Sequence, residues 1–486
     1  MNLQIYFQST DDISNCQISW FVPINLGVEH NQQNSRLVVM EPSGRGRRVV
    51  LVPYPFQGHL TPMLQLGALL HRCGFSITLA HTRFNSPYTS HYPHFHFLPL
   101  SDDLDGFDTS FHNLLNVMAA MNANCLPSFQ EHMLNMLETE DVACVIYDNI
   151  MTFVDVVATS LNLPTILLRT TAAAYMHSHL VLFHLIAHKR LPLPESEVEL
   201  PVPNLHPLRY KDLPVQATQK LPEQVRQFLL SYMNIRSSAA VIWNTIETLD
   251  QWPLQQLQQQ WPVPFFTIGP LHKMAPPLPT SLMKEDAFCL SWLDKRPPNS
   301  VIYISLGSMA TINQEELREM ARGLAKSDHP FLWVVRPSLL NGSSDAIESL
   351  PADFKELVPE RGLVVDWAPQ RKVLEHPAVG GFFSHCGWNS TLESLCGGVP
   401  MICRPCFADQ MVNARYLTHV WRVGVELESV GEKSVEGAVR TLMGSDCGRG
   451  MRERAVEMKL EIERSVGRGG SSSESLHHLV NFVASL

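Results

Sequence analysis

The sequence predicts an α/β protein made of two doubly wound domains whose parallel strands end at one cleft. Three observations carry this expectation. Short apolar runs alternate with helix-length amphipathic segments, the pattern of strands covered on both faces. The alternation pauses at a proline-rich stretch, PLHKMAPPLPTSLMKED over 270–286, and then resumes. At 486 residues the chain also exceeds what a single ordinary core can fill.

Taken in order, residues 1–39 are polar and lack periodicity, and MEPSGRGRRVVLVPYPFQGH from Met40 reads as a fresh start. No charged segment leads into an apolar one there, so 1–39 is read as a disordered extension, not a signal peptide. Val49 to Pro53 is expected as a buried strand. The turn Gln57-Gly58-His59 follows, then an amphipathic helix from about Pro62 to Arg72. Phe75 to Ala80, Ala143 to Tyr147 and Thr165 to Leu168 continue as strands, with a helix from about Thr152 to Leu161. Prolines between Leu191 and Pro214 indicate a long surface loop. The domains then fall at 40–270 and 287–472, joined by a linker at 271–286. Strands Val301 to Ser305, Phe331 to Val335 and Leu363 to Asp366 belong to the second. His59, Asp148, Ser308, Trp367 and His385 all follow strands, where a doubly wound sheet binds its ligands.

Composition excludes several classes. A formal charge of −10 disfavours nucleic acid or an anionic membrane as the partner. The longest apolar candidate, Ala172 to Ala187, is interrupted by His177, His179 and His184, so no membrane span is expected. Ten scattered cysteines do not form a secreted disulfide framework, and a cytoplasmic location is expected. A dinucleotide oxidoreductase would need G-x-G-x-x-G after its first strand; Gly44-Arg45-Gly46 precedes that strand instead.

Chemistry concentrates in WAPQRKVLEHPAVGGFFSHCGWNSTLESLCGGVPMICRPCFADQ, the 44 residues from Trp367 to Gln410. The Trp367 ring suits stacking on a nucleobase whose edge pairs with the Ala368 backbone. Gly387-Trp388-Asn389-Ser390 leads an apolar-periodic segment, so its free N–H groups and dipole suit a diphosphate, and His385 just before it adds a donor. Ser390 and Glu393 also spell an S-x-x-E capping box, which accounts for both without a ligand; the two readings are compatible. Cys403 and Cys406 spell C-x-x-C with no second pair nearby, and Asn389 and Asn341 open glycosylation sequons that a cytosolic protein leaves unused.

A second constellation lies earlier. His59 in PFQGH and Asp148 at the end of CVIYD both follow strands. A histidine near neutral pH can take the proton of an attacking hydroxyl, and a carboxylate holds its tautomer and balances its charge. His177, His184 and His188 share one face of a helix; they read as a zinc site or, better, as the border of an acceptor pocket.

The 44-residue run resembles the signature box of plant family 1 UDP-glycosyltransferases. The likeness extends from about Arg48 to the C-terminus and includes PFQGH, Gly74 to Phe97, VIWNT at 241–245 and VIYISLGS at 301–308. Gly74 to Phe97 is most similar to the subfamily of steviol-glycoside, benzoxazinoid and cytokinin glucosyltransferases. The resemblance implies two facing Rossmann-like domains (GT-B type). The first would bind acceptor and the second UDP-sugar, with a last helix at 473–486 packing back on the first. It implies that Ser308, His385, Asn389 and Ser390 hold diphosphate, and Gln370 and Glu393 hold ribose. Trp388, Asp409 and Gln410 would contact the sugar, with Thr170 and Thr171 near it or merely closing a strand-end turn. Gln410 goes with a glucose donor. His59 would be general base and Asp148 its partner in an inverting, metal-independent transfer, giving a β-glucoside of a small hydrophobic specialised metabolite or hormone. UDP-glucose would be co-substrate, with no cofactor and a monomeric enzyme. Another UDP-sugar, or a non-catalytic UDP-sugar sensor, is the alternative. Met118, Met121, Tyr175 and 201–213 are candidate acceptor contacts. Ser384 and Leu306 depart from the family's usual threonine and phenylalanine.

Overall fold

A computed structural model describes residues 46–109, 113–235, 237–340, 346–352, 354, 356 and 361–486. The extension at 1–39 and the sequon at Asn341 lie outside the described residues.

The first domain is built on seven parallel strands: β1 (Arg48–Val52), β2 (Ser76–Thr82), β3 (Phe95–Leu100), β4 (Val142–Asp148), β5 (Thr165–Arg169), β6 (Ala240–Trp243) and β7 (Phe265–Thr267), in the order β3-β2-β1-β4-β5-β6-β7. The second carries β8 (Val301–Ser305), β9 (Phe331–Val334), β10 (Gly362–Val365), β11 (Val379–Ser384), β12 (Met401–Cys403) and β13 (Gly424–Glu426), in the order β10-β9-β8-β11-β12-β13. Strands such as VVLV in β1 and VACVIYD in β4 are buried along their length, which is why they read as unbroken apolar runs. In each sheet the strand order reverses once, between β1 and β4 and between β8 and β11. The loops leaving those four strands diverge and open a crevice.

Two segments differ from their sequence reading, and the linker is held more closely than its composition suggests. The first helix starts at Gln57, ahead of Pro62, and runs to Arg72. Proline costs an interior turn its bond to the carbonyl four residues back, here that of Gly58. That carbonyl is satisfied from outside the helix by Asn389, whose Nδ2 donates to it at 2.8 Å. The stretch 191–214 is not merely a surface loop. Leu193, Val202, Leu205, Leu208 and Leu213 are buried in a hydrophobic cluster that takes in both domains, while short-range backbone bonds such as Val202 N to Leu208 O (2.8 Å) close its polar groups. The segment 271–286 is stitched to both domains. Gln57 bonds the backbone of Thr280 and Leu282, Trp367 Nε1 donates to Ser281 Oγ at 3.0 Å, and Arg371 reaches Leu278 O.

The helix Ser471–Ser485 packs on the first sheet. Leu479, Val480 and Val483 are buried among Val49, Leu60 and Ile268, and Ser472 Oγ donates to Gly269 O at 2.7 Å. Among the described residues, no helix is long and apolar enough to cross a membrane.

Candidate active site

Each reversal point delivers one half of the site. His59 lies in the first turn of the Gln57–Arg72 helix just after β1, and Asp148 is the last residue of the neighbouring β4. Their adjacency in the sheet closes an interval of 89 residues to 2.7 Å between His59 Nδ1 and Asp148 Oδ2. Asp148 has no solvent exposure, and its other oxygen accepts the Ile150 N–H at 3.1 Å. Thr170 Oγ1 lies 3.1 Å from His59 Nδ1, and Tyr54 meets the imidazole edge-on with centroids 5.2 Å apart. Burial alone would lower the His59 pKa. The charge and hydrogen bond of Asp148, with the charge of Asp409, outweigh it and leave the imidazole above the usual histidine value. Thr171 lies near Tyr232, its Oγ1 buried and unpartnered among the described residues.

Across the crevice the helix Trp388–Gly397 follows β11 through the turn at His385, Cys386 and Gly387. Its N-cap, Gly387, supplies no side-chain cap; the Trp388 N–H turns to the Asp409 carboxylate, and the N–H groups that follow it are not claimed by the N-cap residue. The capping-box reading of Ser390 and Glu393 is therefore corrected: both lie inside the helix, out of register for a cap. Gln370 Nε2 instead donates to Ser390 Oγ at 2.9 Å and Glu393 Oε2 at 2.7 Å, and Tyr303 donates to Gln370 Oε1. Burial raises the Glu393 carboxyl against that hydrogen bond and the charge of Arg371.

His385 is held between two glycines. A Cβ on Gly307 would come within 2.6 Å of its ring, and one on Gly387 within 2.5 Å. Burial, then the charges of Arg336 and Arg404, pull its imidazole down to about 4, so it is neutral at pH 7. Ser308 follows Gly307, whose φ of +70° turns the chain after β8. Arg336, which the sequence did not single out, fastens this turn by donating to Gly307 O at 2.9 Å and to Ala310 O. Gly307→Ala should strain the turn and push His385 aside, weakening UDP binding roughly tenfold in calorimetry. Unchanged affinity would show that the ring's position is immaterial.

The remaining box residues are fixed in place. Trp367 is half-buried and its backbone carbonyl accepts from Asp286; Ala368 beside it is buried. The Trp388 indole donates to Asn244 O at 2.8 Å, so this side chain bridges to the first domain. Asn389 reaches Gly58, next to His59. Burial pushes Asp409 up to about 6, against hydrogen bonds from Asn413, its own backbone and the Trp388 N–H and the charge of His59. Gln410 Oε1 accepts from Cys406 N (2.8 Å) and Phe407 N (3.1 Å). Both departures from the family pattern have a place: Ser384 Oγ accepts the Cys386 N–H at 3.1 Å, and Leu306 is buried in the second core. Cys403 is buried and Cys406 contacts Arg404; neither is disulfide-bonded.

The histidine helix requires a second correction. His177 is buried against Trp252, while His184 and His188 lie against each other, tilted, with ring centroids 4.0 Å apart on the exposed end. Among the described residues no group of three His, Cys, Asp or Glu is placed to hold a metal. It is Tyr175 and His179 that face Tyr232. A cavity of about 260 Å³ beside the loop after Asp148 is lined by Met118, Asn149, Ile150, Phe228 and Tyr232 among others. Met121 is core, and 201–213 lies at the other domain's border.

Two open parallel-sheet domains of this order, with a histidine–carboxylate pair facing a helix N-terminus, define a GT-B-type glycosyltransferase. The family described as UDP-glucoronosyl and UDP-glucosyl transferase matches residues 232–449. UDP-glycosyltransferase 76E1 of Solanum lycopersicum is 48% identical over 91% of this chain and 93% of its own. Flavonol 3-O-glucosyltransferase UGT76E12 of Arabidopsis thaliana is 44% identical over 92% and 99%. Among solved structures, Phytolacca americana UGT2 complexed with UDP-2-fluoro-glucose and pterostilbene superposes with a TM-score of 0.78 at 28% identity, covering 90% of this chain and 100% of that one. Medicago truncatula UGT71G1 complexed with UDP-glucose gives 0.75 at 26%, covering 90% and 98%. The chain belongs to the plant family 1 UDP-glycosyltransferases.

Proposed function

We propose that the protein transfers glucose from UDP-glucose to a hydroxyl of a small hydrophobic specialised metabolite or hormone, with inversion to the β-glucoside. The observation that carries this reading is the 2.7 Å His59–Asp148 pair set opposite the helix start at Trp388. His59 Nδ1–H donates to Asp148, leaving Nε2 free to take the acceptor's proton as its oxygen bonds the anomeric carbon. The bond from that carbon to the UDP oxygen breaks on the opposite face, and the leaving charge meets the helix dipole, neutral His385, Ser308, Asn389 and Ser390. Trp367 stacks on uracil beside Ala368, and the Gln370–Glu393 pair receives ribose. Asp409, Gln410 and the Trp388 turn orient the sugar with Thr170 and Thr171. The ion that leaves is stabilised by the protein's own dipoles, so the transfer needs no metal or cofactor. Met118, Ile150 and Phe228 give the cavity apolar walls suited to a flat aglycone. None of the nine cysteines among the described residues is disulfide-bonded, in keeping with a reducing cytoplasm, where we place the protein as a monomer.

The test is incubation with UDP-glucose and a panel of phenolic, terpenoid, benzoxazinoid and cytokinin acceptors in EDTA, followed by mass. Gain of one hexosyl unit on an acceptor is expected. Transfer only from another UDP-sugar would correct the donor; UDP binding with no turnover from any donor would make the protein a sensor.

A further inference from the structure

The border between the domains holds a ring of charge that the transfer chemistry does not use. Arg209, from the 191–214 stretch, donates to both oxygens of Asp212 at 2.9 Å and to Glu426 Oε1 in β13 at 2.8 Å. Arg415 stands 3.3 Å from Asp212 Oδ2 and donates to Glu426 Oε2 at 3.1 Å and to Pro207 O at 3.0 Å. Two guanidiniums and two carboxylates thus alternate, one of each from either domain. Their side chains are 6–22% exposed, so the ring is largely shielded from solvent. Glu199 and Lys211 pair at its outer rim, and His419 Nε2 lies 3.0 Å from Arg415 Nη1. Removing one member leaves a shielded charge short of a partner, which is costly and so fixes the geometry.

The ring's placement gives it a task. Arg415 ends the helix Gln410–Arg415, and Asp409 and Gln410 stand at that helix's other end, tied to it by the 2.9 Å bond from Asn413 to Asp409. A helix this short is a rigid rod, so where Arg415 is held decides where Asp409 sits. On the other side, Arg209 and Asp212 belong to the first domain's chain and are flanked by Leu205, Leu208 and Leu213, which are buried in a hydrophobic cluster shared by both domains. We propose that Arg209, Asp212, Arg415 and Glu426 form a clasp through which the first domain positions Asp409 and Gln410 for the donor's sugar. They are positioning residues, and their role in transfer rests on the reading given under Proposed function.

The clasp is tested by calorimetry with UDP-glucose and with UDP, which differ only in the sugar and require no turnover. Arg415→Met and Glu426→Gln should each weaken UDP-glucose binding roughly tenfold while changing UDP affinity less than about twofold, and Arg415→Lys should recover most of the loss. In a cycle of Arg209→Met with Glu426→Gln, the double variant should lose less than the product of the single losses. Equal weakening of UDP and UDP-glucose, or a lowered melting temperature with both affinities intact, would overturn the proposal and leave the ring a structural fastening. Multiplying losses would overturn the coupling. If the wild type binds UDP-glucose but transfers nothing, the functional reading fails and the binding comparison still decides the clasp.

Discussion

His59→Ala should lower turnover by about 10²–10⁴-fold, the usual contribution of a positioned base, while UDP binds almost as before. The imidazole is the group placed to take the acceptor's proton; its hydrogen bonds are to Asp148 and Thr170 of its own domain, and only the charge of Asp409 reaches it from the second. The uracil, ribose and diphosphate contacts proposed above come from Ser308 and from Trp367 to Glu393, on the opposite domain. Alanine keeps the helix, because Asn389 bonds the Gly58 backbone and not the His59 side chain. Single-turnover product formation and calorimetry with UDP check the two halves of this statement. Parallel loss of both would mean that His59 shapes the donor site and is not simply a base.

Asp148→Asn should cut turnover by at least about a hundredfold and also move the acid limb of the pH profile downwards. An amide can turn its NH₂ towards Nδ1, which then accepts and leaves the proton on Nε2, the nitrogen that must be empty. The direction of the pH effect follows from the balance at His59. Activity requires the neutral imidazole, so in the wild type it rises as pH passes through a value above 6.5. In the variant the carboxylate's charge and hydrogen bond are gone, burial prevails, and the residual activity should appear at lower pH. Profiles of kcat/KM from pH 5 to 9 measure this. A limb that stays where it was would disconnect Asp148 from the titration of the base.

Much of the fold is legible in the sequence because parallel strands buried on both faces are runs of Val, Ile and Leu that nothing else explains, as in β1, β4 and β8. The signature box is legible for a different reason: its polar residues are contiguous. His59 and Asp148 are each visible as strand-end residues, yet their contact depends on β1 and β4 being neighbours, which the chain order does not spell. What escapes is whatever is settled by a distant partner. Pro62 looks like a helix start until Asn389 is seen to claim the carbonyl it releases. Ser390 and Glu393 look like a cap until Gln370 is seen beside them. His177, His184 and His188 share helical spacing, but Trp252 buries the first and solvent surrounds the others. Arg336, inside VVRP, carries no local sign that it fastens the turn at Gly307.

The helix Ser471–Ser485 has a bearing on how relatives of this chain can be recombined. Its Phe482 ring lies 5.5 Å from Phe266, and Arg47 donates to Ala484 O. The first domain is therefore encoded in two pieces, one on each side of the second. A hybrid with a single junction in 271–286 would dress one parent's sheet with the other parent's last helix, setting foreign side chains against Val49, Leu60 and Ile268. Exchange of donor preference between parents calls for two junctions, one in that linker and one between Val466 and Ser471, so that the acceptor half travels with its own closing helix.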